Sequence, residues 1–175
     1  MPGKISLFVP GPTNMPDRVR QAMDISNEDH RAPGMDKFWH PLINDLKKVF
    51  ETTSGQPIIF PGTGSSGWEA ALTNLLSKGD KVLSGRFGHF SHLWIEMCKK
   101  LHIDVEEVDC EWGSGTPHEE FEKILSADKE HKIKAVLVTQ NETSTGVTND
   151  VKATRELLNN LCLLYTSDAA DECSC

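Results

Sequence analysis

The sequence has no long apolar run, few cysteines and no excess of basic residues, and each shortage excludes a class of protein. No apolar stretch approaches the roughly 20 residues that a membrane helix needs, and the start of the chain lacks the apolar region of a signal peptide. Lysine and arginine number 18 against 26 aspartates and glutamates, which gives a formal net charge of -8. A surface that binds nucleic acid or an anionic membrane is therefore not expected.

The five cysteines are unevenly spread, because only Cys98 and Cys110 precede residue 161. Two cysteines are too few for a disulfide framework, so we expect a reducing compartment. His89 and His92 are three residues apart, but no cysteine or further histidine follows at metal-ligand spacing. We therefore expect no metal site.

Hydrophobic residues make up 38% of the 175 residues and charged residues 25%, the balance of a folded soluble domain.

Before residue 57 the sequence predicts a loop and two helices. Pro10, Gly11 and Pro12 predict a stiff loop, since two prolines around a glycine forbid regular structure. Helices are predicted over 17–23 and from about residue 36. Residues 1–56 are therefore interpreted as an N-terminal arm with helices.

From residue 57 onward the pattern alternates between strands and helices. Short apolar runs predict strands at 57–60, 81–83, 103–108 and 133–138. Helical spacing predicts helices at 65–76, 90–101, 117–125 and after a cap at Asp150. This order is typical of a mostly parallel sheet with helices on both faces, so residues 57–160 are predicted to form an α/β domain.

The segment 161–175 differs in composition from the rest of the chain. It holds three acids, no base, three of the five cysteines and the only tyrosine. Residues 162–172 resemble the conceptual translation of a sequencing adapter, and we expect this tail to be non-native. A genuine divergent C-terminus is the alternative.

A glycine-rich segment, residues 61–67, joins a predicted strand to a predicted helix. Glycines allow a ligand to approach closely, and a helix start presents unpaired N–H groups, so a phosphate is the natural ligand. An ordinary turn with a serine N-cap fits these residues equally well. Gly62, Gly64 and Gly67 also match the dinucleotide fingerprint G-x-G-x-x-G. That fingerprint requires an acid at the end of the next strand, which here ends in Ser-Gly-Arg at 84–86.

Two further predicted strands are followed by candidate ligand-binding residues. Phe90 comes soon after the strand at 81–83, where an aromatic ring can stack on a planar ligand, although core packing is the commoner role of phenylalanine. A polar run, 139–147, follows the most apolar strand. Ligands bind outside the carboxyl ends of parallel strands, so the three loops together predict one site at the same edge of the sheet.

Four segments together resemble the class V pyridoxal-phosphate (PLP) aminotransferases, most closely the serine– and alanine–glyoxylate group. They are residues 9–14 (VPGPTN), 27–31 (NEDHR), 63–74 (TGSSGWEAALTN) and 141–147 (NETSTGV). Their order and spacing agree with the family over about residues 5–160. The resemblance implies an incomplete large PLP-binding domain of a fold-type I aminotransferase. It also implies a parent enzyme that moves an amino group from serine or alanine to glyoxylate and so forms glycine.

The same resemblance implies which residues bind the cofactor. Thr63, Gly64 and Ser65 occupy the positions that hold the PLP phosphate. Phe90 falls where the family places the ring that stacks on the pyridine, and many relatives have tryptophan there.

The resemblance also implies ligand contacts in the first and last of the four segments. Thr143 matches a hydroxyl residue that contacts the cofactor, and Asn141 lies near the PLP 3-oxygen, a position where some relatives have glycine. The loop of Pro10 and Gly11 matches a segment that closes over the substrate in a homodimer.

The resemblance places the catalytic residues of the family downstream of residue 160. These are the Schiff-base lysine, the aspartate of the pyridine nitrogen and the arginine that binds the substrate carboxylate. We therefore expect this chain to contain no catalytic residue and to be inactive alone.

Three alternatives to the transaminase remain: a desulfurase- or lyase-type class V enzyme, a nucleotide-binding α/β domain and an inactive regulatory fragment. The expected partners are an amino acid and glyoxylate. The expected compartment is the peroxisome or the cytoplasm.

Overall fold

The computed structural model describes residues 6–161, so all but the first residue of the predicted non-native tail lies outside the described part. The chain divides into two compact units between Ile59 and Phe60. None of the helices within residues 6–161 is long and apolar enough to cross a membrane.

The first unit contains two helices, α1 (Asp17–Met23) and α2 (Asp36–Val49), at the predicted positions. Helix α2 runs through Pro41 without interruption. An acid in its first turn, Asp36, and lysines in its last turn, Lys47 and Lys48, complement the helix dipole.

The predicted strand at 57–60 is wrong. This segment has no regular structure, and Ile58 is 71% exposed and Phe60 80% exposed. A strand requires a hydrogen-bonded partner, and no strand within residues 6–161 pairs with this segment. An apolar run alone was therefore not sufficient to predict a strand.

The second unit is built on a three-stranded parallel sheet. Its strands are β1 (Lys81–Arg86), β2 (Asp104–Asp109) and β3 (Ile133–Leu137), in the order β2-β1-β3. Four helices accompany the sheet: α3 (Gly64–Leu75), α4 (His89–Lys100), α5 (His118–Ala127) and α6 (Val151–Asn160). A small antiparallel hairpin, β4 (Asn141–Glu142) and β5 (Val147–Thr148), follows β3 and was not expected from the sequence.

Helices cover both faces of the sheet, as predicted. Successive residues of the central strand β1 point to opposite faces. Val82 packs with residues of α3 and α4, including Leu72 and Trp94. Leu83 packs on the other face with Ile133 of β3 and with residues of α5 and α6: Phe121, Leu125 and Leu158.

Strand β3 contributes to both cores by ordinary alternation, since Val136 packs in the α5/α6 core, and a register shift places Ile133 in that core as well. Its pairing with β1 slips between Lys81 and Val82, where the partners change from Ile133 to Ala135. Ile133 consequently belongs to the α5/α6 core, whereas Ala135 and Leu137 belong to the α3/α4 core. A bulge of this kind reverses the side-chain alternation of a strand.

The apolar exposure of the chain generates a first prediction. Phe8 is 96% exposed, and Ile58 and Phe60 also lie on the surface. Expressed as these 175 residues, the protein should enhance the fluorescence of a hydrophobic dye and should self-associate. The measurements are dye fluorescence and size-exclusion chromatography.

The matched variant is the double substitution Ile58→Ser, Phe60→Ser, which should lower dye binding without changing the far-ultraviolet circular dichroism. A monomer that binds no dye and melts in one sharp transition would contradict this prediction.

Candidate functional site

Three loops meet at the carboxyl edge of the parallel sheet, where ligands bind in this type of fold. They follow β1, β2 and β3 and comprise residues 87–88, 110–117 and 138–149. The backbone joins the first two, because the N–H of Gly113 donates to the carbonyl of Phe87 at 3.0 Å.

Asn149 joins the loop after β2 to the loop after β3. Its side chain is buried, accepts a hydrogen bond from the Thr116 N–H at 2.6 Å and donates one to the Thr139 carbonyl at 2.6 Å. The backbone of Gly115 has φ +90°, and a Cβ there would lie 2.9 Å from the Asn149 amide oxygen. Glycine is therefore needed at residue 115 both for the turn and for the close approach.

Glu142 joins the loop after β3 to the start of α4. Its carboxylate is completely buried and accepts hydrogen bonds from two backbone N–H groups of that helix, Ser91 at 2.9 Å and Phe90 at 3.2 Å. Unpaired N–H groups and the positive end of the helix dipole both favour a negative charge at this point. The carboxylate thus acts as an N-terminal cap supplied from about fifty residues along the chain.

Two serines and a glycine complete this capping arrangement. Ser144 donates from its hydroxyl to the Glu142 carboxylate at 2.6 Å and accepts from the His89 N–H at 3.0 Å. The Ser91 hydroxyl accepts from the N–H of Gly88 at 3.1 Å. A Cβ at Gly88 would overlap the Glu142 side chain, so only glycine leaves room for the carboxylate.

The charge of Glu142 follows from these contacts. Burial of the carboxyl acts to raise its pKa. Hydrogen bonds from Ser144, Ser91 and Phe90 act in the opposite direction and prevail, so the pKa lies below the ordinary value of a glutamate. The carboxylate is therefore ionised at neutral pH, and it is buried and hydrogen-bonded.

The predicted phosphate residues lie at the start of α3, which is arranged differently. Thr63 is the N-cap, and its N–H donates to the Ser66 hydroxyl at 3.3 Å. Within residues 6–161, the backbone N–H groups of Gly64 and Ser65 have no protein acceptor. This helix start is exposed, and it is open to an anion where the start of α4 is already filled.

Phe90 is the second residue of α4, and its ring contacts α3. Its ring is half-buried and meets the ring of Trp68 edge to face, with centroids 6.3 Å apart. Trp68 in turn stacks on Trp94 at 5.2 Å. Phe90 thus contributes to the packing of α3 against α4, whereas Phe87, at the end of β1, is only 1% exposed.

The remaining predicted site residues are less engaged. Asn141 is exposed and pairs with Thr148 in the hairpin, and Thr143 is half-buried. Within the described part of the chain, neither side chain makes a hydrogen bond. Pro10 and Gly11 are exposed and belong to the first compact unit.

Sequence reasoning missed the structural roles of Glu142 and Asn149. Both lie in or beside the polar run that was recognised, but the partners through which they join other segments are 33 to 52 residues away. The one available signal was an acid, Glu142, within a run of amide and hydroxyl residues directly after an apolar strand.

Comparison with known proteins points to a single family. The family model "Aminotransferase class-V" matches residues 5–174. The serine–glyoxylate aminotransferase of Hyphomicrobium methylovorum is 54% identical over 152 residues, which are 87% of this chain and 38% of that protein. The L-aspartate–glyoxylate aminotransferase of Paracoccus denitrificans is 51% identical over the same shares. This chain therefore spans about two fifths of the length of these relatives.

Solved structures give the same picture. An alanine–glyoxylate aminotransferase from Nostoc sp. matches with a TM-score of 0.77 and 29% identity, over 94% of this chain and 44% of that one. A pyridoxamine–pyruvate aminotransferase from Mesorhizobium loti matches with a TM-score of 0.80 over 91% of this chain and 40% of that one. At 20% identity, the second match supports the fold alone.

The lowered pKa of Glu142 predicts how stability depends on pH. A carboxyl whose pKa is depressed by folding stabilises the protein above its unfolded pKa of about 4.3, and this stabilisation is lost as the pH falls through the folded value. Glu142→Gln should lower the free energy of unfolding at neutral pH by roughly 1–3 kcal/mol. It should also reduce the fall in stability between about pH 5 and pH 3.

Urea unfolding of the two proteins at a series of pH values measures both effects. Two curves that stay parallel through the acid range would show that Glu142 does not carry this part of the pH dependence.

Proposed function

The chain belongs to the class-V aminotransferases, and on that premise we propose that it supplies the cofactor phosphate site of a PLP enzyme that transfers an amino group to glyoxylate. The observation that carries this proposal is the contrast between two neighbouring helix starts. The start of α4 is neutralised by Glu142, whereas at the start of α3 the N–H groups of Gly64 and Ser65 have no acceptor among residues 6–161.

The start of α3 fits a phosphate in chemistry as well as in charge. Its free N–H groups can donate to phosphate oxygens, and the hydroxyls of Thr63 and Ser65 are exposed beside them. A Cβ at Gly62 would lie 2.8 Å from the Ser66 hydroxyl oxygen, so glycine permits this turn to close. These features support the assignment of Thr63, Gly64 and Ser65 to the cofactor phosphate.

The other proposed cofactor residues lie in the first turn of α4 and in the loop after β3. Phe90 would offer a ring face to the pyridine, Thr143 a hydroxyl, and Asn141 an amide near the 3-oxygen. When bound, the cofactor supplies an electron sink for bonds at the substrate α-carbon. The protein's task at this edge is to hold and orient that ring.

The substrates follow from what the relatives share. The names of the glyoxylate aminotransferases among them differ in the amino donor, which is serine, aspartate or alanine, and agree on glyoxylate. We therefore propose glyoxylate as the acceptor and serine or alanine as the donor, with Pro10 and Gly11 in a loop that closes over the substrate of a homodimer. A peroxisomal or cytoplasmic location remains part of this proposal.

No observation favours the desulfurase-type or nucleotide-binding alternatives. At the end of β1, where a dinucleotide fold places a ribose-binding acid, stands Arg86, which forms ion pairs with Glu107 and Asp109 at 2.9 Å each.

The phosphate assignment is tested by the PLP affinity of a full-length protein, that is, a protein of the length of the relatives that contains this chain. Ser65→Ala removes a hydroxyl without changing the N-cap residue of α3, so the dissociation constant of PLP should rise about tenfold, as expected for one charge-assisted hydrogen bond. Trp68→Phe is the control, because it alters the α3/α4 packing and should lower only the melting temperature. An absorbance titration with PLP and a thermal melt provide the two measurements. Unchanged affinity in Ser65→Ala would contradict the assignment.

The stacking assignment is tested by removing an aromatic face while keeping an apolar side chain. Phe90→Leu should weaken PLP binding about fivefold, from the loss of roughly 1 kcal/mol of stacking, and should shift the cofactor absorbance band. Phe90→Trp should preserve binding. The matched control is Phe87→Leu at the buried neighbouring position. If Phe87→Leu rather than Phe90→Leu changes the cofactor spectrum, the stacking role belongs to Phe87.

A further inference from the structure

Glu142 is placed next to two of the proposed cofactor residues on different segments. Its carboxylate accepts a hydrogen bond from the backbone N–H of Phe90 itself, at 3.2 Å. Thr143 follows it directly in the chain. One side chain therefore joins the backbone that carries the proposed stacking ring to the backbone that carries the proposed cofactor hydroxyl.

We propose that Glu142 is a positioning residue for the cofactor. It fixes the position of Thr143 relative to Phe90 so that both contact the same bound ring. This inference rests on the proposed function. Glu142 itself touches no ligand, because its side chain is completely buried and its oxygens face the start of α4 and the Ser144 hydroxyl.

The cost of separating the two segments makes this contact rigid. A buried carboxylate that loses its donors carries the full penalty of an unsatisfied charge. Moving the hairpin away from α4 would break the bonds from Ser91 and Phe90 together, and the Ser144 hydroxyl bridges the same two segments through the His89 N–H. The hydrogen bonds of both Glu142 and Ser144 therefore resist a small displacement of Thr143 relative to Phe90.

The same carboxylate also determines which helix start is available to an anion. With Glu142 in place, the start of α4 carries a negative charge that repels a phosphate, and the start of α3 remains open. Loss of the Glu142 charge would thus loosen the ring contacts and also offer the phosphate a second site.

Asp128 offers a matched control within the same domain. Its carboxylate also accepts two backbone hydrogen bonds, from Ile133 at 2.8 Å and Lys132 at 3.1 Å, and the pKa of this group is likewise lowered. Asp128 precedes β3 and lies at the N-terminal ends of the strands, whereas the proposed site lies at their C-terminal ends. Asp128→Asn and Glu142→Gln therefore alter the same type of interaction at two different places.

The experiment compares these variants in the full-length protein. Glu142→Gln keeps the shape but turns an amide NH2 group toward backbone donors, so the PLP dissociation constant should rise at least about tenfold. The visible circular dichroism of bound PLP, which reports the asymmetry of its surroundings, should also change. Asp128→Asn should lower the melting temperature of the PLP-free protein, with less than a twofold change in affinity and an unchanged dichroism band.

A Glu142→Gln protein with a lower melting temperature but wild-type PLP affinity and dichroism would overturn the inference, and Glu142 would then be purely structural. If Glu142→Gln does not fold, Ser144→Ala gives the decision, because it removes only the bridging hydroxyl and should shift affinity and dichroism in the same direction. Wild-type protein that binds no PLP would instead contradict the proposed function, and this inference with it.

Discussion

The carboxylate of Glu142, buried at the start of α4, is the contact on which the arrangement of the sheet edge depends. A buried charge is tolerated only when hydrogen-bond donors surround it. Here the donors come from the α4 backbone and from Ser144, and Gly88 leaves the necessary space. Asn149 adds a neutral link of the same kind to the loop after β2. Two side chains from one loop thereby tie together the segments after all three parallel strands.

This internal capping gives the two helix starts different chemistry. Both α3 and α4 begin after a glycine-containing turn and present backbone N–H groups, and by sequence alone either is suited to an anion. The protein supplies its own anion to α4, whereas within residues 6–161 the first N–H groups of α3 remain free. This contrast supports the proposal that Gly64 and Ser65 hold the cofactor phosphate.

Local patterns predicted much of the fold, and long-range contacts explain where they failed. Helix α1 has its predicted bounds, and the predicted cap of α6 is confirmed because Asp150 accepts from the Ala153 N–H at 2.9 Å. Both depend on residues close in sequence. The wrong strand at 57–60 and the unforeseen capping by Glu142 depend instead on partners that the local sequence does not reveal. The roles of Thr63, Phe90 and Thr143 toward a cofactor remain predictions.

The polar loop after β3 illustrates why composition alone does not identify binding residues. Its polarity first pointed to ligand contacts, yet its residues divide by position. Neighbouring strand residues point to opposite sides, so Glu142 is buried in β4 while Asn141 beside it is exposed. Glu142 and Asn149 form hydrogen bonds with backbone groups of the protein, so their polar atoms are already paired in its interior. Asn141 and Thr143, whose side chains make no hydrogen bond within the described residues, retain polar atoms for a ligand. A polar loop at this edge therefore combines residues that hold the site together with residues that can contact a ligand, and their hydrogen bonds within the protein distinguish the two.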